Sequence, residues 1–115
     1  MLALLLSMLF GAAAPSAVEV RLSNFEFAPE TIRLRAGEPV ALRLVNASSG
    51  GHNFAAREFF AAARAVSGPV EDGAVEVPEH GTVEVRLTPA RGSYRLRCTH
   101  TLHSTFGMRG RIIVE

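Results

Sequence analysis

The sequence predicts an all-β domain, a β-sandwich with one short inserted helix. Short runs of alternating apolar and polar residues recur along the chain, as expected for strands that bury one face. Clusters of Gly, Pro and Ser separate these runs, and the strands do not alternate with long helical segments. Roughly seven short strands in a domain of about 100 residues are typical of two packed antiparallel sheets.

Three strands are predicted in the first half of the chain. Their inward-facing side chains alternate with charged or small residues and belong to Val18, Val20 and Leu22, to Ile32 and Leu34, and to Leu42 and Leu44. Turns are predicted at 36–39 (Ala-Gly-Glu-Pro) and at 48–51 (Ser-Ser-Gly-Gly), where glycine and proline interrupt the alternation.

A short helix is predicted over residues 55–66, because alanines surround a pair of phenylalanines there. The alternation then returns in three further strands, whose inward side chains are Val83, Val85 and Leu87, then Tyr94, Leu96 and Cys98, and finally Ile112 and Val114. Turns are predicted at 78–81 (Pro-Glu-His-Gly) and 89–92 (Pro-Ala-Arg-Gly).

The first 17 residues are predicted to be an export signal segment, cleaved near 13–17, ahead of a single domain over 18–115. The run MLALLLSMLF is apolar, and small residues follow it, as in a signal peptide with a cleavage site. The run is too short to span a bilayer, so no membrane span is expected after its removal. A buried N-terminal segment or an uncleaved lipid anchor is the alternative. If the segment directs export, we expect the protein in a bacterial periplasm.

The charge distribution bears on nucleic-acid binding, and the cysteine content bears on disulfides and metal binding. The 115 residues contain twelve arginines and no lysine, which balance eleven acids to a net charge of +1. Because the arginines form no basic cluster along the sequence and few aromatic residues lie between them, we expect no nucleic-acid partner. The chain has one cysteine, which cannot form an internal disulfide, and a bound metal is one way to occupy it.

The stretch CTHTLHSTFGM, residues 98–108, brings that cysteine together with two histidines and a methionine. Two interpretations compete: a reactive thiol with a histidine base, or a soft metal site. The strand alternation points Cys98 toward the core, whereas catalytic cysteines lie in partly exposed clefts, so a metal ligand is favoured. His52 in GGHNF, just past a strand and a glycine-bearing loop, is the candidate for a ligand from elsewhere in the fold.

Two imidazoles, a thiolate and a thioether are the donors of a blue-copper electron-transfer centre. Tetrahedral zinc is possible with the same residues, but zinc prefers Cys, His and carboxylates to Met.

Over nearly all of residues 18–115 the sequence resembles the cupredoxins, in particular small bacterial plastocyanin-like proteins. The stretches that carry the resemblance are SNFEFAPETIRLRAGEPVALRLVN, GHNF, YRLRCTHTLHSTFGM and RGRIIV. The Cys-x4-His-x4-Met spacing and the Gly-Met-x-Gly ending belong to that family's pattern. The resemblance implies a Greek-key sandwich and one mononuclear copper ion bound by His52, Cys98 and His103, with Met108 as the axial ligand.

The resemblance also implies a role for the residues around the ligands. The side chain of Asn53 is expected to bridge to the backbone near Thr99. Thr101 and Leu102 stand where many relatives have Pro-Gly, and His100 is an additional histidine, so the resemblance implies His103 as the ligand by its spacing alone.

The function implied by the resemblance is electron transport by a monomer that is not an enzyme. Redox protein partners are expected to dock on an apolar patch around His103, Leu102 and Phe106. A periplasmic protein that buffers or delivers copper without redox duty is the alternative, although exposed Met- and His-rich motifs are missing from the sequence. A domain that serves only as an interaction module would leave the four ligands without a role.

Overall fold

The computed structural model describes residues 15–100 and 107–115, and in these ranges it contains ten strands and one helix. The strands are β1 (Ser16–Ser23), β2 (Glu26–Ala28), β3 (Thr31–Leu34), β4 (Val40–Asn46), β5 (His52–Ala55), β6 (Arg64–Ser67), β7 (Ala74–Val77), β8 (Thr82–Thr88), β9 (Gly92–Arg97) and β10 (Arg109–Val114), and the helix α1 covers Arg57–Ala62. The prediction of an all-β domain with one inserted helix is confirmed.

Two five-stranded sheets form the sandwich. The first sheet has the order β2-β1-β4-β8-β6 and the second has the order β3-β10-β9-β5-β7. Each sheet contains one parallel pair, β1 with β4 and β3 with β10, and its other pairs are antiparallel. Strands β10, β9 and β5 are neighbours in the second sheet. The loop before β5 and the loop between β9 and β10 therefore meet at one end of the sandwich.

The core lies between the sheets, on the faces that the alternation predicted. Val20, Leu22, Leu42, Leu44 and Ile112 are at most 1% exposed, and the residues between them carry charged side chains into solvent. Each fully buried aliphatic side chain of this kind stabilises the fold by about 1.5–3 kcal/mol. The same parity buries Leu96 and Cys98 and leaves Tyr94 half-buried.

The helix is shorter than predicted, because both ends of the alanine-rich segment belong to strands. Ala55 belongs to β5, and Ala63 is extended, with φ −76° and ψ 159°. From Arg64 the chain forms β6, an edge strand that pairs irregularly with β8. Helix α1 buries Phe59 and Phe60, and the rings of Phe60 and the core residue Phe54 lie 6.0 Å apart at 65°.

One glycine permits the helix to sit where it does. Gly73 has φ +75°, and a Cβ on it would lie 2.6 Å from the Cα of Arg57, the first residue of α1. The amide of Ala56 donates a hydrogen bond to the Gly73 carbonyl at 2.9 Å. A side chain at this turn would therefore both strain the backbone and push the helix away.

Strand β1 begins at Ser16, two residues before the predicted start of the domain, and its first two residues pair with Val40 and Ala41 of β4. The predicted export segment otherwise lies outside the described residues, and its cleavage stays a prediction. Within 15–100 and 107–115 no helix has the length and apolar character that crossing a membrane requires.

Candidate metal centre

Three of the four predicted ligands converge at one end of the second sheet. His52 is the first residue of β5, Cys98 directly follows β9, and Met108 directly precedes β10. Because β9 and β10 are antiparallel, the end of one meets the start of the other, and the Cys98 amide donates to the Met108 carbonyl at 3.1 Å. His52 is 2% exposed, and Cys98 and Met108 are fully buried.

The thiol and the first imidazole face each other. The Nδ1 atom of His52 lies 4.0 Å from the Sγ atom of Cys98. The backbone amide of Asn53 also points at this sulfur, 3.5 Å away. This backbone donor and the His52 ring thus approach the sulfur together. Cys98 is fully buried, as the strand alternation predicted.

A buried polar network sets the orientation of the His52 ring. Asn46 donates from Nδ2 to the carbonyls of Gly50 (2.8 Å) and Val77 (3.0 Å), so its Oδ1 faces Ser48 and accepts from the Ser48 amide at 2.9 Å. The Ser48 hydroxyl lies 2.7 Å from the same Oδ1 and 3.0 Å from the Gly50 carbonyl, both of which only accept. Its single proton is therefore donated to one of these two oxygens.

That assignment determines the tautomer of the histidine. The Nε2 atom of His52 lies 2.9 Å from Ser48 Oγ. Because the hydroxyl proton is already donated elsewhere, the oxygen accepts, and Nε2 carries the hydrogen. In the neutral ring Nδ1 then presents its lone pair on the side of Cys98, which is the tautomer that a metal ligand needs.

A second contact joins the two ligand-bearing segments. The Thr99 amide donates to Asn53 Oδ1 at 2.8 Å, and Asn53 Nδ2 donates to Thr99 Oγ1 at 2.7 Å. The structure thus contains the bridge from Asn53 to Thr99 that the resemblance implied. Asn53 is 3% exposed and Thr99 is exposed, so the bridge is partly buried.

Next to this bridge, His100 contacts the neighbouring strand β7. Its Nε2 lies 3.0 Å from Glu76 Oε1, and Asn53 donates to the other carboxylate oxygen at 2.9 Å. Burial raises the pKa of the Glu76 carboxyl, but the hydrogen bonds from His100 and Asn53 and the charge of His100 lower it more, so that this pKa lies below its ordinary value. One nitrogen of His100 is thus engaged with a carboxylate outside the core.

His103, Leu102 and Phe106 lie outside the described residues, so the second imidazole ligand and the apolar patch stay predictions. In the part of the chain that the structure describes, no group of three His, Cys, Asp or Glu side chains is arranged to hold a metal ion. The donors that are described, one imidazole, one thiol and one thioether, fit a soft ion such as copper, and the thioether fits zinc poorly.

Asn46 and Ser48 were not predicted as site residues. The stretch NASSGG reads as an ordinary polar turn after a strand, and its composition alone gives no sign that two of these side chains are buried. The only signal is their position between a strand and the candidate ligand His52.

Comparisons with known proteins agree with this geometry. The model of the cupredoxin-like domain family matches residues 1–114. Auracyanin B superimposes with a TM-score of 0.68 at 26% identity, over 90% of this chain and 92% of its own. Amicyanin from Paracoccus versutus superimposes with a TM-score of 0.56 at 25% identity, over 90% of this chain and 85% of its own.

Auracyanin A, described as a blue copper protein of Chloroflexus aurantiacus, gives a TM-score of 0.63 at 23% identity, over 89% of this chain and all of its own. Among curated proteins no match is found.

Proposed function

The chain belongs to the cupredoxin-like domain family, and from this premise we propose that it is a blue copper protein that carries single electrons between redox partners. The observation that supports this most is the His52 Nδ1 to Cys98 Sγ separation of 4.0 Å beside the fully buried Met108. His52, Cys98, His103 and Met108 would hold one copper ion, which would supply a one-electron couple.

The chain's own residues prepare the site for this role. The network through Ser48 holds the His52 lone pair toward the sulfur, and the Asn53 amide donates a hydrogen bond to this sulfur. Burial of Cys98 and Met108 excludes water and substrates from the sulfur donors. A closed site of this kind favours electron transfer over bond-making chemistry, and we therefore assign no enzymatic activity.

Location and partners complete the proposal. Export through the segment at 1–17 would place the carrier in the periplasm as a monomer. Redox partners would dock briefly at the apolar patch around His103, Leu102 and Phe106, since redox encounters use small interfaces. Leu102→Asp is then expected to slow electron exchange with the partner while the optical spectrum stays the same.

The optical spectrum of the copper-loaded protein tests the function. An intense thiolate-to-Cu(II) band in the visible is expected, and Cys98→Ser should abolish it because a hydroxyl binds copper weakly. A protein that binds copper tightly yet stays colourless in oxidising buffer would instead be the copper-buffering protein.

The two histidines of the loop provide a matched pair for the ligand assignment. His103→Ala should lose the blue band and most Cu(II) affinity, whereas His100→Ala should retain both. The reverse result would assign the ligand to His100, whose Nε2 lies 3.0 Å from Glu76 Oε1.

A further inference from the structure

Four of the chain's twelve arginines meet on the outer face of the second sheet. In the antiparallel pairing of β9 with β10, Arg97 lies directly opposite Arg109, and Arg95 lies directly opposite Arg111. All four are exposed. We call this square of four residues the arginine face. The arginines do not cluster along the sequence, but alternation on two adjacent strands brings these four together in space.

The arginine face differs from the outer face of the first sheet, where arginines are neutralised. There Arg21 and Arg43 both lie 3.6 Å from Glu19, and Arg86 lies 3.0 Å from Glu84. On the arginine face, Arg111 donates to the Ser93 hydroxyl at 3.1 Å. None of the four arginines has a carboxylate within ion-pair distance among the described residues. Like charges directly opposite each other in a sheet destabilise it, so folding gives no reason for this arrangement.

The arginine face lies directly behind the candidate metal centre. Cys98 and Met108 point into the core, and the residues next to them in the chain, Arg97 and Arg109, point outward from the same two strands. A molecule bound to this face is thus separated from two of the proposed ligands by the thickness of one sheet and a single residue of backbone.

The surroundings of the face limit what it can bind. It lines an open groove of about 1080 Å³ together with Arg57 and with five acidic residues, which we call the acidic wall: Glu30, Glu58, Glu71, Asp72 and Glu76. A long uniform polyanion such as duplex DNA would meet this acidic wall. A protein surface with one compact group of carboxylates matches the square of arginines and can leave the acidic wall uncovered.

We propose that the arginine face is a docking surface for an acidic redox protein, an inference that rests on the proposed electron-transfer function. Carboxylates of the partner pair with the guanidinium groups, several of them in bidentate geometry. The surface is distinct from the apolar patch predicted around His103. Its positive charge favours the approach of acidic partners over basic ones.

Electron exchange with an acidic donor tests the proposal. The probe is a reduced plant-type [2Fe–2S] ferredoxin, an acidic one-electron donor, mixed with the blue copper-loaded protein in stopped flow. The variant Arg95→Gln with Arg111→Gln removes two charges away from the ligands. The control, Arg21→Gln with Arg43→Gln, makes the same change in net charge on the first sheet. At low salt the first variant should slow the second-order reduction about tenfold, because electrostatic steering accounts for such factors.

The control should stay within about twofold of the unmodified protein, and the difference should vanish at high salt, where the Debye length falls to about 3 Å at 1 M. Equal slowing by both double variants would assign the effect to net charge and overturn the proposal, as would no slowing by either.

A binding measurement separates this proposal from the function on which it rests. Hexaglutamate is titrated into the isotope-labelled protein, metal-free and copper-loaded, while amide resonances are followed by NMR. Shifts confined to 95–97 and 109–111 support the docking surface, even if the copper-loaded sample is colourless and the proposed function fails. Shifts elsewhere, no shifts, or tighter binding of inorganic phosphate or a single-stranded oligonucleotide in a blue sample would overturn the docking surface alone.

Discussion

Replacing Ser48 by alanine removes the oxygen that orients the first imidazole. In the native structure this hydroxyl accepts the Nε2 hydrogen of His52 at 2.9 Å and lies 2.7 Å from Asn46 Oδ1. Without it, Asn46 keeps the Ser48 amide as a donor, whereas the Nε2 hydrogen of a ring that is 2% exposed loses this acceptor. The ring can then rotate or change tautomer, and Nδ1 no longer faces the sulfur in a fixed direction.

The size of the effect follows from this single lost contact. A buried donor that loses its acceptor destabilises the fold by about 1–3 kcal/mol. Loss of the partner that orients a metal-bound histidine lowers metal affinity by about 10–100-fold, which corresponds to roughly 1.4–2.7 kcal/mol. Removing one hydroxyl oxygen leaves little extra volume, so we expect a total destabilisation of the metal-free protein near 2 kcal/mol.

Urea denaturation of the metal-free protein measures the first quantity, and competition with a chelator of known copper affinity measures the second. Ser49→Ala is the matched control, because Ser49 is the adjacent residue and is exposed. Ser48→Thr retains a hydroxyl and should restore most of the affinity. If Ser48→Ala bound copper within twofold of Ser49→Ala, the assigned tautomer and the orienting role of Ser48 would both be wrong.

Three further changes test other contacts. Asn53→Ala removes the acceptor of the Thr99 amide and should lower the free energy of unfolding by about 1–3 kcal/mol in urea denaturation. Glu76→Gln should destabilise the metal-free protein by at most about 1 kcal/mol, since its pair with His100 is exposed. Because folding lowers the pKa of Glu76, that loss should be present above the ordinary carboxyl pKa of 4.5 and disappear as the pH falls through the folded pKa. A pH-independent difference would contradict the pair. Gly73→Ala combines φ +75° with contact against the backbone of helix α1, so it should destabilise by about 1–3 kcal/mol in thermal unfolding, and no change would show that the helix moves freely.

The fold class was predictable because long strands with one buried face show a clear period of two. Six such segments were identified, and β1, β3, β4, β8, β9 and β10 occupy them. The strands that were not predicted, β2, β5, β6 and β7, have three or four residues. Strand β3 is equally short, but Ile32 and Leu34 alternate with a threonine and two arginines in 31–35, which makes its period visible. Strand β6 also carried alanine-rich sequence that favours helix, and pairing with β8 prevailed over that local preference.

The candidate site was predictable where its residues are chemically unusual. A single cysteine, histidines and a methionine at a family's spacing stand out in any sequence, and the structure brings Cys98 and Met108 to adjacent strand ends with His52 beside them. Asn46 and Ser48 could not be predicted as site residues, because the composition of a polar turn does not indicate which of its side chains are buried. The arginine face was also hidden, since it depends on the register between β9 and β10.

The bridge between Asn53 and Thr99 affects the rate of electron exchange that we expect of the proposed carrier. Bringing two segments of the chain together has an entropic cost, and here side-chain and backbone hydrogen bonds offset that cost during folding. For the proposed carrier, the histidine and the cysteine therefore need little rearrangement when the charge of the ion changes by one. The ligand segments are ordered once, when the chain folds, and few atoms then need to move in each electron exchange.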